Sequence, residues 1–400
     1  MKVKSLFTGD AYIWFIVLSL CAISFLEVGS ASNTLTYKSG NILKPILSHG
    51  GFLVAGIGVG ILMGRLDYRK YAFGAGIVWF ISFALCISLL FVGQDVNGAS
   101  RWMGVAGFNF QPSEFAKVSF VVIVSGLLGI HYHKQETVGE QAWVRHTVLG
   151  LCLLMCLVIG KENYSTAIII FIWTYLMLFI GKVSGRFLWR VFLYALLLVS
   201  IGVAVAMFVS SSKEVARTGT AKGRIERFLA PKATGSPAEY EITGDNFQET
   251  YARIGIAKGS LLGTGPGNGE IRYYLPQAFS DFIYVVILEE LGLLGGGFVL
   301  FLYLLLLYRA LQFARGNHGE QARFLVMGIS LLIVMQALIN ICVAAGVIPV
   351  TGQTLPLVSR GGSSILVMGL LFGILLGITG QTQNNQLTSH PNSDNDESNN

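Results

Sequence analysis

The segment Gln111-Pro112-Ser113-Glu114-Phe115-Ala116-Lys117 sets an acid and an ammonium at the start of an apolar run. Ionisable groups in such surroundings are costly and need a reason to be there. Proline suits the first turn of a helix, and the helix dipole favours Glu114 in that turn. The same dipole opposes Lys117. Residues three apart share a helix face, so the two can pair; equally, Lys117 can snorkel beside a helix-starting acid.

Ser280-Asp281 opens a second apolar run, with Glu289-Glu290 two turns further on. Ser280 can cap the helix with Asp281 in its first turn. At about 1.5 Å per residue, Glu289 lies two turns below Asp281 on a similar face. Two acids in so apolar a helix suggest a polar cavity and not lipid contact. Gly295-Gly296-Gly297 beyond them allows close packing or a bend.

A third cluster is Thr351 to Ser364, dense in Pro and Gly and containing Ser359, Arg360 and Ser363. Its fixed, irregular backbone and Arg360 could hold an anion, or it could be a plain re-entrant turn. A long polar segment carries Arg224-Ile-Glu-Arg227-Phe-Leu-Ala-Pro231 and the glycine run Gly263 to Gly269. Basic side chains beside glycine N–H groups can hold a phosphate, and a solvated loop reads equally well.

The elements that must position these groups are membrane helices. The chain is 53% hydrophobic and 12% charged, with mean hydropathy +0.62, about half the charge of a soluble domain. Ten apolar runs approach the roughly twenty residues that cross a bilayer: 11–28, 49–64, 72–93, 114–131, 146–160, 164–181, 187–210, 281–307, 323–345 and 362–379. The expected fold is an all-α polytopic membrane protein with about ten spans. The fifth and sixth spans should form a tight hairpin around Lys161-Glu162-Asn163.

Charge in the short loops sets the orientation. With the N-terminus inside, the inner loops hold Lys2, Lys4, Arg65, Arg69, Lys70, Lys134, Arg145, Lys182, Arg186, Arg190, Arg309, Arg315 and Arg323, thirteen in all. The outer loops hold five: Lys38, Lys44, Arg101, Lys161 and Arg360. Both termini are therefore expected in the cytoplasm. The one long loop, about 211–280 between the seventh and eighth spans, is expected outside. Residues 1–380 read as one membrane domain and 381–400, rich in Asn, Ser, Asp and Gln, as a disordered cytoplasmic tail.

Several function classes drop out. The net charge of +6 sits in gaps between spans, a topology signal and not a nucleic-acid face. There is no Walker A motif, and the glycine run fails the G-x-G-x-x-G spacing, so no nucleotide is expected. The five cysteines lie in apolar stretches as small buried hydrophobes. The six histidines form no recognisable ligand set.

The sequence resembles the SEDS proteins, the FtsW and RodA group of bacterial cell-wall synthases. The resemblance runs from the first span to the tenth. It rests on Arg101-Trp102, Gln111 to Lys117, Ser165-Thr166-Ala167, Arg227-Phe-Leu-Ala-Pro231, Gly263 to Gly269, Tyr274-Leu-Pro276, Asp281-Phe282, Glu289-Glu-Leu-Gly292 and Leu355 to Ser364. Departures are Phe279-Ser280 where the family has His-Thr, Arg360 where it has Tyr, and Lys161-Glu-Asn163 where it has Gln-Pro-Asp. The Thr-Leu-Pro-Leu turn and the segment from Glu27 look more like the division branch, FtsW, than the elongation branch, RodA.

The resemblance implies a peptidoglycan glycosyltransferase polymerising lipid II on the outer face of the bacterial cytoplasmic membrane, at the division septum. It implies Asp281 as general base. Arg101, Glu114, Lys117, Arg224, Arg227, Ser359, Arg360 and Ser363 would contact substrate. Gln111, Pro112, Ser113, Glu289 and Glu290 would shape the cavity. A divalent cation, Mg or Mn, could assist the leaving pyrophosphate. The partners implied are a class B penicillin-binding protein, which is a transpeptidase, and other divisome membrane proteins. The alternatives are a lipid II flippase, a RodA-like elongation polymerase, or a scaffold without chemistry.

Overall fold

Gly56, Gly60 and Gly64 recur every four residues on one helix face, as do Gly369, Gly373 and Gly377 on another. Such stripes let membrane helices approach until their backbones touch. In the computed structural model they face each other. A Cβ built on Gly369 would lie 2.1 Å from the Gly56 carbonyl oxygen, and one on Gly373 would lie 2.4 Å from that of Gly60.

The structure describes residues 8–31, 43–92, 94–96, 99–105, 108–132, 138–209, 247–275, 278–316 and 318–389. Seven long helices come first: α1 (Ala11–Ala31), α2 (Leu43–Gly64), α3 (Tyr68–Val92), α4 (Pro112–Tyr132), α5 (Val138–Glu162), α6 (Tyr164–Ile180) and α7 (Gly185–Val209). A shorter α8 (Phe247–Gly259) follows, then α9 (Ile283–Arg315), α10 (Glu320–Ala344) and α11 (Gly362–Ser389). Among the described residues, eight helices are long and apolar enough to cross a membrane, and α6 is a shorter apolar one. The protein is an all-α, multi-pass membrane protein, and each of the ten expected runs lies within or largely overlaps one long helix.

Four features differ from the sequence expectation or add to it. A small antiparallel sheet joins α3 to α4, made of β1 (Gln94–Val96), β2 (Ala99–Val105) and β3 (Phe108–Phe110). Strands this short carry too few alternating positions to show in composition. Second, the long loop contains α8, whose Gly259 crosses α9 so closely that a Cβ there would fall 1.8 Å from the Leu288 carbonyl oxygen. Third, α9 breaks at Gly292 (φ 69°, ψ −171°), and not at the glycine triplet that follows. Fourth, α11 continues to Ser389, nine residues into the expected tail. Gln381 there hydrogen-bonds both Tyr68 N and the Leu66 carbonyl, joining the helix to the α2–α3 turn.

The fifth and sixth spans do form a tight hairpin. Asn163 alone separates α5 from α6, and its side chain accepts a bond from Thr166 N at 3.3 Å, capping α6. Two long-range pairings set the core around the site. Helices α4 and α10 run antiparallel: a Cβ on Gly129 would meet Gln321, one on Gly328 would meet Ser125, and Lys117 bonds Gln336. Trp173 of α6 donates to the Gly328 carbonyl at 2.8 Å and fixes the depth of α10.

Candidate functional site

Pro112 opens α4, so Glu114 and Lys117 lie on its first turns, where sequence placed them. They pair at 2.9 Å, with Lys117 fully buried and Glu114 6% exposed. Burial of the ammonium excludes snorkelling to water. Lys117 Nζ also donates to Gln336 Oε1 at 2.9 Å. The Gln336 amide in turn donates to the Thr354 carbonyl at 3.1 Å. Pro112 and Ser113 are buried, and Gln111 supplies a carbonyl to Glu114 N at 3.2 Å.

One turn along α10, Asn340 repeats the device. Its Nδ2 donates to the Asp281 carbonyl at 3.0 Å and to the Gln353 carbonyl at 2.7 Å. Gln353 Nε2 reaches Thr166 Oγ1 on α6 at 3.0 Å. Two amides four residues apart thus hold the Thr351 to Gly361 loop and Asp281 against the membrane core. Asp281 is partly exposed. It lies in the turn before α9, whose N-cap is Phe282 without a side-chain cap bond. Ser280 therefore does not cap this helix. Its hydroxyl donates instead to Asp281 Oδ1 at 3.0 Å and orients the carboxylate.

The third cluster closes over the same point. Ser359 Oγ donates to the Ser280 carbonyl at 2.6 Å and accepts from Leu355 N at 2.7 Å. Arg360 N donates to the Phe279 carbonyl at 2.9 Å, and its guanidinium lies 5.3 Å from the Phe279 ring centre. Ser24 of α1 donates to the Val358 carbonyl at 2.8 Å, and Tyr303 of α9 to that of Pro356 at 2.6 Å. These bonds hold Leu357 in a left-handed conformation (φ 62°), which costs a side-chain-bearing residue of order 1 kcal/mol. The Leu355, Val358, Ser359 and Arg360 N–H groups are engaged internally and so are not available to an anion. Partial burial lowers the Arg360 pKa below its ordinary value. Ser363 is buried in the first turn of α11, next to Ser364, which contacts Thr354 Oγ1 at 3.4 Å.

Glu289 and Glu290 are fully buried, as their apolar setting required, and their polar side-chain partners lie in residues 267–272 and at Ser30. Glu289 Oε1 accepts from Glu270 N at 2.9 Å, and Glu289 Oε2 from Ile271 N at 3.1 Å. Glu290 accepts from Gly267 N at 2.7 Å and pairs with Arg272 at 2.8 Å. Ser30 of α1 adds a bond to Glu290 at 2.6 Å. The N–H groups of Gly267 and Gly269 thus bond the Glu290 carboxylate, and those of Gly263, Thr264, Gly265 and Asn268 bond backbone carbonyls, so of the two readings of this run, phosphate cradle or solvated loop, neither describes these groups. Gly263 has φ 82°, and a Cβ there would also lie 2.2 Å from the Glu290 carbonyl oxygen, so both the backbone conformation and the close approach favour glycine.

Arg101 sits on β2, and its side chain lies outside the described residues, as do Arg224 and Arg227 altogether. Among the described residues no three His, Cys, Asp or Glu side chains gather to hold a metal. Sequence reasoning passed over Gln336, Asn340, Gln353, Thr354 and Arg272. For the first two a signal existed: two amides, four apart, in the apolar run Leu331 to Val343.

The family model for FtsW, RodA and SpoVE, described as "Cell cycle protein", matches residues 10–384. The chain is 30% identical over 393 residues to a probable peptidoglycan glycosyltransferase FtsW of Aliivibrio salmonicida, covering 97% of this chain and 93% of that protein. A protein of the same description from Halomonas elongata is 31% identical over 392 residues, covering 96% and 93%. Among solved structures, a chain from a peptidoglycan synthase complex that coordinates polymerization and crosslinking superimposes with TM-score 0.70 at 23% identity, covering 92% of this chain and 97% of that one. The rod shape determining protein RodA of Thermus thermophilus gives TM-score 0.61 at 23% identity, covering 93% and 96%.

Proposed function

The chain belongs to the FtsW, RodA and SpoVE family of cell cycle proteins, and on that premise we propose that it is a peptidoglycan glycosyltransferase polymerising lipid II. One observation carries the reading: Asp281 is partly exposed, its carboxylate oriented by Ser280 and its backbone carbonyl held by Asn340, one helical turn from the buried Lys117–Gln336 contact.

In this reading Asp281 takes the proton of the acceptor sugar hydroxyl. That oxygen forms a bond to the donor's anomeric carbon. The bond from that carbon to the pyrophosphate oxygen breaks, and the electron pair leaves on undecaprenyl pyrophosphate. General-base help of this kind contributes about 10²–10⁴-fold. Lys117 lies too deep to meet bulk water and acts through the local field on the departing charge. Arg360, over Phe279 at the mouth, is a candidate for phosphate contact; Arg101, Arg224, Arg227 and Ser363 remain proposals of the same kind. A divalent cation, Mg or Mn, would enter on the substrate's pyrophosphate, since the described carboxylates do not form a ligand set. No nucleotide is needed, because the leaving group carries the driving force.

The mouth that holds Asp281 faces outward, both termini face the cytoplasm, and the protein works at the septum beside a class B penicillin-binding protein and other divisome membrane proteins. The FtsW relatives support a multi-pass membrane protein, the neighbouring synthase complex supports a crosslinking partner, and the basic bias of the short loops supports the orientation. Incubating the purified protein and its transpeptidase partner with labelled lipid II tests the function. A ladder of glycan strands is expected; transport of lipid II without a new glycosidic bond would make the chain a flippase.

A further inference from the structure

Asn340 has no choice of amide orientation. Its Nδ2 faces two carbonyl oxygens, those of Asp281 and Gln353, and a flip would set oxygen against oxygen. Its Oδ1 therefore points away from the loop. That atom is buried and has no hydrogen-bond partner among the described residues. Gln336, one turn deeper, is oriented the same way by Thr354, and its Oε1 receives the Lys117 ammonium.

The register of α4 against α10 identifies what faces Asn340. Ser125 meets Gly328 and Lys117 meets Gln336, so position numbers rise on one helix as they fall on the other. Moving one turn toward the mouth takes Gln336 to Asn340 and Lys117 to Glu114. Glu114 Oε1 is engaged by Lys117 at 2.9 Å, but Oε2 is buried with no partner among the described residues. Two buried acceptors thus stand on facing helices one turn above the Lys117–Gln336 contact, and the Asn340 amide also binds the Asp281 backbone carbonyl. A buried acceptor left without a donor is costly, so the arrangement calls for one.

We infer that this gap receives an N–H or O–H group of the sugar substrate, and that Asn340 Oδ1 and Glu114 Oε2 are specificity-determining acceptors for it. The inference rests on the proposed polymerase reading. A neutral donor matches these two acceptors: Lys117 already balances Glu114, and Asn340 adds no charge. Asn340 then does two tasks at once, holding the Asp281 backbone with its nitrogen and reading the sugar with its oxygen.

The test is a cycle of variant against substrate analogue. Lipid-linked disaccharide substrates, each lacking one hydroxyl or carrying an N-methylated acetamide, are polymerised by the wild-type protein and by Asn340→Ser. In the wild type, one analogue should lose about tenfold in kcat/KM, the scale of one hydrogen bond. Asn340→Ser should lose activity on the native substrate yet show no further loss on that analogue, because the contact is already gone. A variant that merely loosens the fold slows all substrates by one factor. If every analogue penalty carries over unchanged into the variant, the inference is wrong. Asn340→His, which keeps a ring N–H for one carbonyl, repeats the cycle should the serine variant not accumulate. A wild-type protein that polymerises nothing would overturn the polymerase reading itself, a result distinct from either outcome of the cycle.

Discussion

The buried ammonium of Lys117 lies 2.9 Å from Gln336 Oε1, a residue 219 positions away in the chain. With Glu114 at 2.9 Å it has one ionic and one neutral partner, and its own side chain is 0% exposed. Removing the ammonium strands the Glu114 carboxylate in the core. Lys117→Met should therefore cost about 3–5 kcal/mol, the usual penalty for breaking a buried pair. Thermal unfolding in detergent should show a large loss of stability, whereas Lys70→Met, on an exposed turn, should leave it nearly unchanged. Equal tolerance of the two would mean the pair contributes nothing.

Asp281→Asn keeps the size, the carbonyl that Asn340 holds and the Oδ1 that Ser280 reaches. Stability should barely move. Polymerisation of lipid II should fall by about 10²-fold or more, because the proton acceptor is gone. Asp281→Glu, whose base is displaced by a methylene, should retain a trace. Near-normal glycan synthesis by the asparagine variant would remove Asp281 from the mechanism.

Glu290→Gln leaves Arg272 buried without its counter-ion and weakens the bonds from Gly267 and Ser30. The expected cost is again about 3–5 kcal/mol. It should appear as faster proteolysis within residues 260–272, the segment that Glu290 and Glu289 hold, before the helices are attacked.

Gly369→Ala places a methyl group where 2.1 Å separates the site from the Gly56 carbonyl oxygen. Overpacking of this kind costs about 1–3 kcal/mol or more, so the α2–α11 seam should open and the melting temperature drop. Gly297→Ala, exposed on α9 with no atom within 4 Å of a new Cβ, is the matched control and should be neutral.

A cysteine at Ser236, in the long segment between α7 and α8, should react with an impermeant maleimide in intact spheroplasts. Labelling only after lysis would reverse the orientation. In cells, depletion should produce filaments that fail to divide; rounded cells that still divide would assign the chain to elongation.

Much of this protein was legible in its sequence, because the bilayer imposes rules on composition. Backbone groups in hydrocarbon must bond within their own segment, so apolar runs of sufficient length could only be helices. The price of an unpaired charge made Glu114, Lys117, Asp281, Glu289 and Glu290 stand out before any coordinates. Whether each charge served a cavity or a clamp could not be read that way. Glu289 shares a helix with Asp281, yet the break at Gly292 and the approach of the glycine run hand it to the backbone N–H groups of Glu270 and Ile271. The partner of Lys117 was also hidden: Gln336 and Asn340 reach the site only because α10 packs antiparallel to α4 at a depth that Trp173 sets. Local pattern determines which residues face away from lipid. Which of them meet is decided by helix register, and that depends on close contacts between positions far apart in the chain.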